Sequence, residues 1–263
     1  MHIIAHGDID GIASAALVLA NEFKGADVPV YYETPFSIQD AKGAIVVDIS
    51  IDRTNTAKTI RCLEDCHAWI DHHHGWRMSH EKLFVRNDPS CASVVWDYYR
   101  CTDLRHLVDI ASECDNGYPT GKDAIIYHKT LKTDLYNRPV KDLILATMLG
   151  RMSTSFLRPY VEKYDAEILP VTEHLLEGIE VIGNAAFVNA TEPGGSYDKN
   201  RILTELTAKA KYGCVITSRG QNIYTTVATR DPSVNLVDVF NMRAGSPGRV
   251  TLRGNEIWKI SRL

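Results

Sequence analysis

Short apolar runs, each closed by polar or turn residues, alternate with amphipathic stretches through the first half of the chain. The runs cover 1–6 (MHIIAH), 28–33 (VPVYYE), 44–49 (AIVVDI), 67–72 (HAWIDH) and 82–86 (KLFVR). Continuous rather than alternating apolar character is what a strand buried on both faces needs, and strands of a parallel sheet are buried that way. Helical patterns fall between the runs, near 11–23, 54–65 and 91–100, with more at 103–114 and 122–132. Thr54 stands where a cap for the second of these is expected. Such alternation predicts an α/β fold built on a parallel sheet.

Beyond Pro139 the pattern lengthens into helices at 139–154, at 158–182 with an interruption at Pro170, and at 196–211. Strands resume in CVITSR, IYTTVAT, RVTLRG and EIWKIS, with a short helix near 235–242. The layout suggests an N-terminal parallel-sheet domain over 1–138, a helical connector over 139–189 and a smaller C-terminal α/β domain over 190–263.

Composition narrows the class. With 44% hydrophobic and 24% charged residues, the chain has the balance of a globular protein rather than a disordered or fibrous one. The start lacks a basic segment leading into a long apolar run, and no stretch is long and uncharged enough to span a bilayer, so the expected location is the cytoplasm, with no membrane partner. None of the six cysteines forms a CxxC pair, which predicts reduced, buried thiols. A net charge of −4 argues against a protein that coats long duplexes. That charge is unevenly spread: seven basic residues against three acidic ones from Arg219 onward leave a basic tail on an acidic body. One part suited to metal and another suited to phosphate would have this distribution.

The candidate chemistry lies where strands end, which is where open parallel sheets place ligands. The first run closes on His6-Gly7-Asp8-Ile9-Asp10-Gly11, the third on Val46-Val47-Asp48, and the fourth on Asp71-His72-His73-His74. Several carboxylates cannot be buried together unless cations neutralise them. His6, Asp8 and Asp10 alternate at spacing two, so an extended chain would turn them to one side, with Gly11 at the turn into the helix. Carboxylate and imidazole donors without thiolate favour Mn²⁺, Mg²⁺ or Co²⁺ over structural zinc. Four acids and two histidines suffice for two divalent ions that share one carboxylate. Taken singly, DxDG also reads as a turn or a calcium-loop fragment, and DHHH as a solvated loop.

Together and in this order, HGDIDGIASAAL, VVDIS and WIDHHH resemble the first three motifs of the DHH phosphoesterase family, which includes RecJ-like exonucleases and nano-RNases. The resemblance implies that His6 and Asp8 hold one metal ion, that Asp10, His72 and Asp115 hold a second, and that Asp48 bridges them. Asp115, in SECDNGY, is the best match to the fourth motif, with Asp109 as the other candidate. His73 would face the substrate phosphate and Asp71 would orient the neighbouring histidines; His74 is either a further phosphate contact or solvent-facing. In the tail, VATRDPSVNLVDVFNMRAGSPGR resembles the DHH-associated domain, in which an arginine and a GGGH loop hold substrate. The corresponding residues are Arg230, Arg243, Gly245, Ser246 and Gly248, but the loop here lacks the histidine and two of the glycines, which leaves substrate identity open.

The function this implies is two-metal hydrolysis of phosphodiester or phosphomonoester bonds in short single-stranded oligonucleotides or nucleotides, Mn²⁺ being the first-choice ion. HxDxDG spacing sets the chain apart from manganese pyrophosphatases, which space the motif HxxxDxD. A non-catalytic scaffold of the same fold in a replication or repair complex is the alternative. A homodimer and a recruiting protein both remain open at this stage.

Overall fold

The structure is a computed structural model that describes all residues except 25, 53, 74, 75, 77, 241–247, 255–259 and 261–263. The chain divides into two compact units, Met1–Val161 and Glu162–Leu263.

The first unit runs β1 (His2–His6), α1 (Ile9–Asn21), β2 (Val30–Glu33), β3 (Ala44–Val47), α2 (Thr56–Asp65), β4 (Ala68–Asp71), β5 (Leu83–Val85), α3 (Cys91–Tyr99), α4 (Arg105–Asp115), α5 (Lys122–Thr133) and α6 (Arg138–Met148). Its strands form one parallel sheet in the order β2-β1-β3-β4-β5. Period-two alternation sends successive side chains to opposite faces. Ile3, Ala5, Ile45, Val47 and Ile70 join a core built with α1, α3, α4, α5 and α6. Ile4, Ala44, Val46 and Trp69 join a second core with Ile38, Cys62 and Leu63. Residues 9–19 of α1 are all buried, so this helix is enclosed on every side and forms the centre of its layer.

The second cap differs from the sequence expectation. Asn55, not Thr54, caps α2 by accepting from the Lys58 backbone N–H at 3.1 Å. Thr54 instead gives its hydroxyl and its own backbone N–H to Asp52. That carboxylate also binds buried Lys58 at 3.0 Å and accepts from Asn55 N–H, so Asp52 outcompetes the Thr54 cap.

The chain continues through α7 (Arg158–Lys163) and a wider π-type turn at Tyr164–Ile168. The second unit then contains α8 (Leu169–Glu177), β6 (Glu180–Ile182), β7 (Ala185–Ala190), α9 (Lys199–Lys209), β8 (Tyr212–Arg219), β9 (Asn222–Ala228), α10 (Leu236–Val239) and β10 (Arg249–Arg253). Its sheet has the order β10-β9-β8-β7-β6, antiparallel except between β7 and β8. The sequence pattern carries helix through 182. In the structure helix ends at Glu177, and a hairpin turning at Gly183 (φ 58) begins at Glu180. The strand expected in EIWKIS, Ile260 apart, lies outside the described residues. All six cysteines are buried and unpaired. No helix among the described residues is long and apolar enough to cross a membrane.

Candidate metal centre

In the order β2-β1-β3-β4-β5, strands β1, β3 and β4 are neighbours, and their carboxyl ends bring the three sequence motifs together. β1 stops at His6, and Asp8 already caps α1, its Oδ1 accepting from Gly11 N–H at 3.0 Å. The extended spacing expected over His6, Asp8 and Asp10 does not reach Asp10: Asp8 is still extended (φ -105, ψ -175), but it captures an amide left open at the start of α1, and Asp10 already lies in the helix. Asp8 Oδ2 lies 2.7 Å from His6 Nδ1. Gly11 is not at the turn but inside α1. Its missing side chain matters for another reason: a Cβ there would run into the His6 backbone.

Asp10, in the first turn of α1, accepts from the Cys91 and Ala92 backbone N–H groups at 2.6 and 2.9 Å. Those amides begin α3, whose positive end thus anchors the carboxylate. Asp48 follows β3 and continues its ladder by donating N–H to Ile70 O at 3.1 Å. Its φ of 59 is left-handed, a conformation aspartate tolerates better than most residues.

β4 ends on fully buried Asp71, whose two oxygens have separate partners. Oδ1 lies 2.8 Å from His73 Nδ1, and Oδ2 accepts from Trp76 Nε1 at 2.7 Å. His72 Nδ1 donates to the Asp88 carbonyl at 3.1 Å. In the neutral ring this bond puts the proton on Nδ1 and leaves the Nε2 lone pair for a ligand. That Nε2 lies 3.5 Å from Asp10 Oδ2, 3.4 Å from Asp48 Oδ1 and 3.8 Å from Asp115 Oδ2. Asp115 is the last residue of α4. Asp109, on the same helix, is exposed and pairs with Arg105 at 3.8 Å.

Two observations test whether this donor set fits metal ions. Asp48 Oδ1 and His72 Nε2 are buried and have no hydrogen-bond partner among the described residues. Each such orphan costs about 1–3 kcal/mol unless something satisfies it. Donor atoms also group within 4.8 Å of one another as His6, Asp8 and Asp48, and as Asp10, His72 and Asp115, with a further set of Asp48, His72 and His73. The donors are oxygens and imidazole nitrogens on a buried acidic cluster, which suits divalent cations. A fourth set, Asp48, Asp71 and Cys91, includes one of the thiols expected to be reduced and buried. Burial, with Asp48 and Asp10 nearby, pushes Cys91 well above the usual thiol range, and its Sγ donates to Ile70 O.

The electrostatics show how much repulsion the cluster holds. Burial, then Asp10 and Asp8, push Asp48 well above the usual carboxylate range. Burial and Asp115 push Asp10 up to about 7. Asp8 is held well below the ordinary value: burial acts to raise it, but the His6 ring and the Gly11 amide outweigh burial. His73 rises to about 9, burial opposing and the Asp71 carboxylate dominating, while Asp71 is lowered in return.

The sequence matches no protein-family model and no curated protein. Solved structures do match. The pGpG-specific phosphodiesterase PggH from Vibrio cholerae superposes with a TM-score of 0.66 at 16% identity, over 99% of this chain and 96% of that one. RecJ from Thermus thermophilus, in complex with Mn²⁺, gives 0.64 at 12% identity, over 99% of this chain and 50% of that one. An exopolyphosphatase-related protein from Bacteroides fragilis gives 0.56 at 11% identity, over 99% and 89%. The chain has a RecJ-like, DHH-type fold.

Within this RecJ-like chain, the substrate-binding candidates of the tail are only partly described. Arg230 is exposed just after β9. Gly248 precedes β10, and its carbonyl accepts from Thr229 N–H at 2.9 Å. Arg249 gives its guanidinium to Asn200 Oδ1 at 3.1 Å. Arg243, Gly245 and Ser246 lie outside the described residues, as does His74. The sequence reading also gave no role to Trp76 or to the Asp88 carbonyl. A tryptophan after DHHHG carries no signal by itself, and a backbone carbonyl carries none at all.

Proposed function

We propose that this chain is a two-metal phosphoesterase that hydrolyses phosphodiester or phosphomonoester bonds of short oligonucleotides or nucleotides, with Mn²⁺ as the first-choice ion and Mg²⁺ or Co²⁺ as substitutes. The observation that carries this reading is the pair of donor sets, His6-Asp8-Asp48 and Asp10-His72-Asp115, together with the buried Asp48 oxygen and His72 Nε2, which have no hydrogen-bond partner among the described residues. His6, Asp8 and Asp48 would hold one ion, and Asp10, His72 and Asp115 the other, with Asp48 shared. Bound there, divalent ions supply Lewis-acid activation of a phosphoryl oxygen and of the attacking water.

The chain's own residues set the geometry. Asp71 fixes the His73 ring through Nδ1 and keeps it protonated, so that Nε2–H is available to a phosphoryl oxygen. Trp76 holds the second Asp71 oxygen and prevents that carboxylate from swinging away. The Asp88 carbonyl presents His72 Nε2 in the required tautomer. In the second unit, Arg230 and Gly248, with Arg243, Gly245 and Ser246 outside the described residues, are the proposed phosphate contacts. The likeness in fold to a pGpG-specific phosphodiesterase and to Mn²⁺-bound RecJ supports a nucleotide substrate.

A panel under Mn²⁺ tests this: dinucleotides, longer RNA and DNA oligomers, adenosine 3′,5′-bisphosphate and pyrophosphate. The reading expects a mononucleotide product from the short substrates and little action on pyrophosphate. Turnover of pyrophosphate alone would contradict it.

A further inference from the structure

One cation of the first unit has no role in the site described so far. Lys141 lies on α6, on a turn whose neighbours Val140, Ile144 and Leu145 are in the core. Its side chain ends above the β1–α1 junction. A Cβ built on Gly7 would collide with the Lys141 ammonium, and its three nearest atoms all belong to that side chain. Gly7 stands between His6 and Asp8, so this ammonium lies beside two of the candidate metal ligands. It also lies 5.4 Å from the centre of the Tyr32 ring, on the strand that pairs with β1.

Among the described residues the half-buried Lys141 ammonium takes part in no hydrogen bond or ion pair. The Tyr32 hydroxyl is likewise buried without a hydrogen-bond partner. Burial pulls the Lys141 ammonium below the usual lysine range, and Asp8 is the charge that opposes it. Lys141 is only partly buried, so an anion bound at the site can replace water against its ammonium. Cations held by His6 and Asp8 would repel the ammonium, and an anion lying between them turns that repulsion into attraction on both sides.

We propose that Lys141 is a substrate-binding residue whose ammonium contacts a phosphoryl oxygen of the bound substrate from the β2 side of the site, and that Gly7 lacks a side chain to admit it. This rests on the phosphoester reading above. The experiment therefore includes a readout that needs no turnover.

Inorganic phosphate and Mn²⁺ affinities of the full chain are measured by calorimetry, phosphate with Mn²⁺ present, for wild type, Lys141→Gln, Lys141→Arg and Gly7→Ala. KM and kcat for a dinucleotide are measured alongside. Lys141→Gln is expected to weaken phosphate binding about tenfold or more and to raise KM in step, with Mn²⁺ affinity unchanged. Lys141→Arg should recover most of the loss. Gly7→Ala, whose methyl would displace the flexible end of Lys141, should reproduce the loss at unchanged Mn²⁺ affinity. Phosphate affinity of Lys141→Gln within about twofold of wild type would overturn the proposal. If only Mn²⁺ affinity changes, Lys141 balances the acidic cluster and the proposal also fails. A wild-type protein that binds phosphate through Lys141 yet hydrolyses no phosphoester would sink the phosphoester reading and leave this assignment standing.

Discussion

Asp71 controls the site without belonging to either of the two proposed ligand sets, because both its oxygens are committed, one to His73 and one to Trp76. Asp71→Asn keeps the shape but replaces one acceptor by a donor and removes the charge that raises His73. Steady-state kinetics should show kcat reduced by about 10- to 100-fold, the usual cost of losing such a supporting partner. Asp48 and Asp10 lead to a different expectation, for metal-free protein. Both carboxyls have folded values above their unfolded ones, Asp10 at about 7, so folding takes up protons. The sign then follows: their contribution is most favourable below the unfolded carboxylate value and is lost as pH rises through the folded one. Thermal melts in chelator should therefore show Tm falling between about pH 5 and pH 7. Asp48→Asn should raise the neutral-pH Tm of metal-free protein and abolish the further rise that Mn²⁺ gives wild type. A metal-free Tm that climbs over this interval would contradict the electrostatic account.

Among the elements, the β1–α1 junction carries the tightest constraint. Gly11→Ala would drive a methyl into the His6 backbone, and α1 is central to the main core. Urea denaturation should show a loss of about 2–3 kcal/mol. Asn55→Ala removes the α2 cap and should cost about 1 kcal/mol by the same measurement. These elements also show what could be read from sequence. All five strands of the first sheet were legible as short apolar runs, most plainly β1, β3 and β4, which are buried on both faces, while β2 and β5 at the edges are only partly buried. The cap of α2 was not, since choosing between Thr54 and Asn55 depends on Asp52, whose hold on Lys58 is a tertiary fact. Nor was the β6–β7 hairpin: the three residues of β6 are all exposed, so that strand leaves no core-facing apolar pattern.

For the whole molecule, the candidate site was more legible than the arrangement that assembles it. Acidic and histidine residues closing apolar runs marked His6, Asp48 and Asp71 on chemical grounds, since carboxylates seldom end buried strands without a purpose. The strand order that makes β1, β3 and β4 neighbours, and so brings those ends together, is a matter of non-local pairing that no local pattern encodes. Lys141 was invisible for the same reason: it lies far along the chain in a helical stretch with no motif of its own. The measurement that tests the account most directly is turnover of a dinucleotide as a function of Mn²⁺ concentration, for wild type and Asp48→Asn side by side. The expected result is hydrolysis by wild type that rises with Mn²⁺ and vanishes in chelator, and no hydrolysis by a well-folded Asp48→Asn protein at any Mn²⁺ concentration. Undiminished turnover by Asp48→Asn, or turnover by wild type in chelator, would contradict a shared-carboxylate metal centre as the source of the activity.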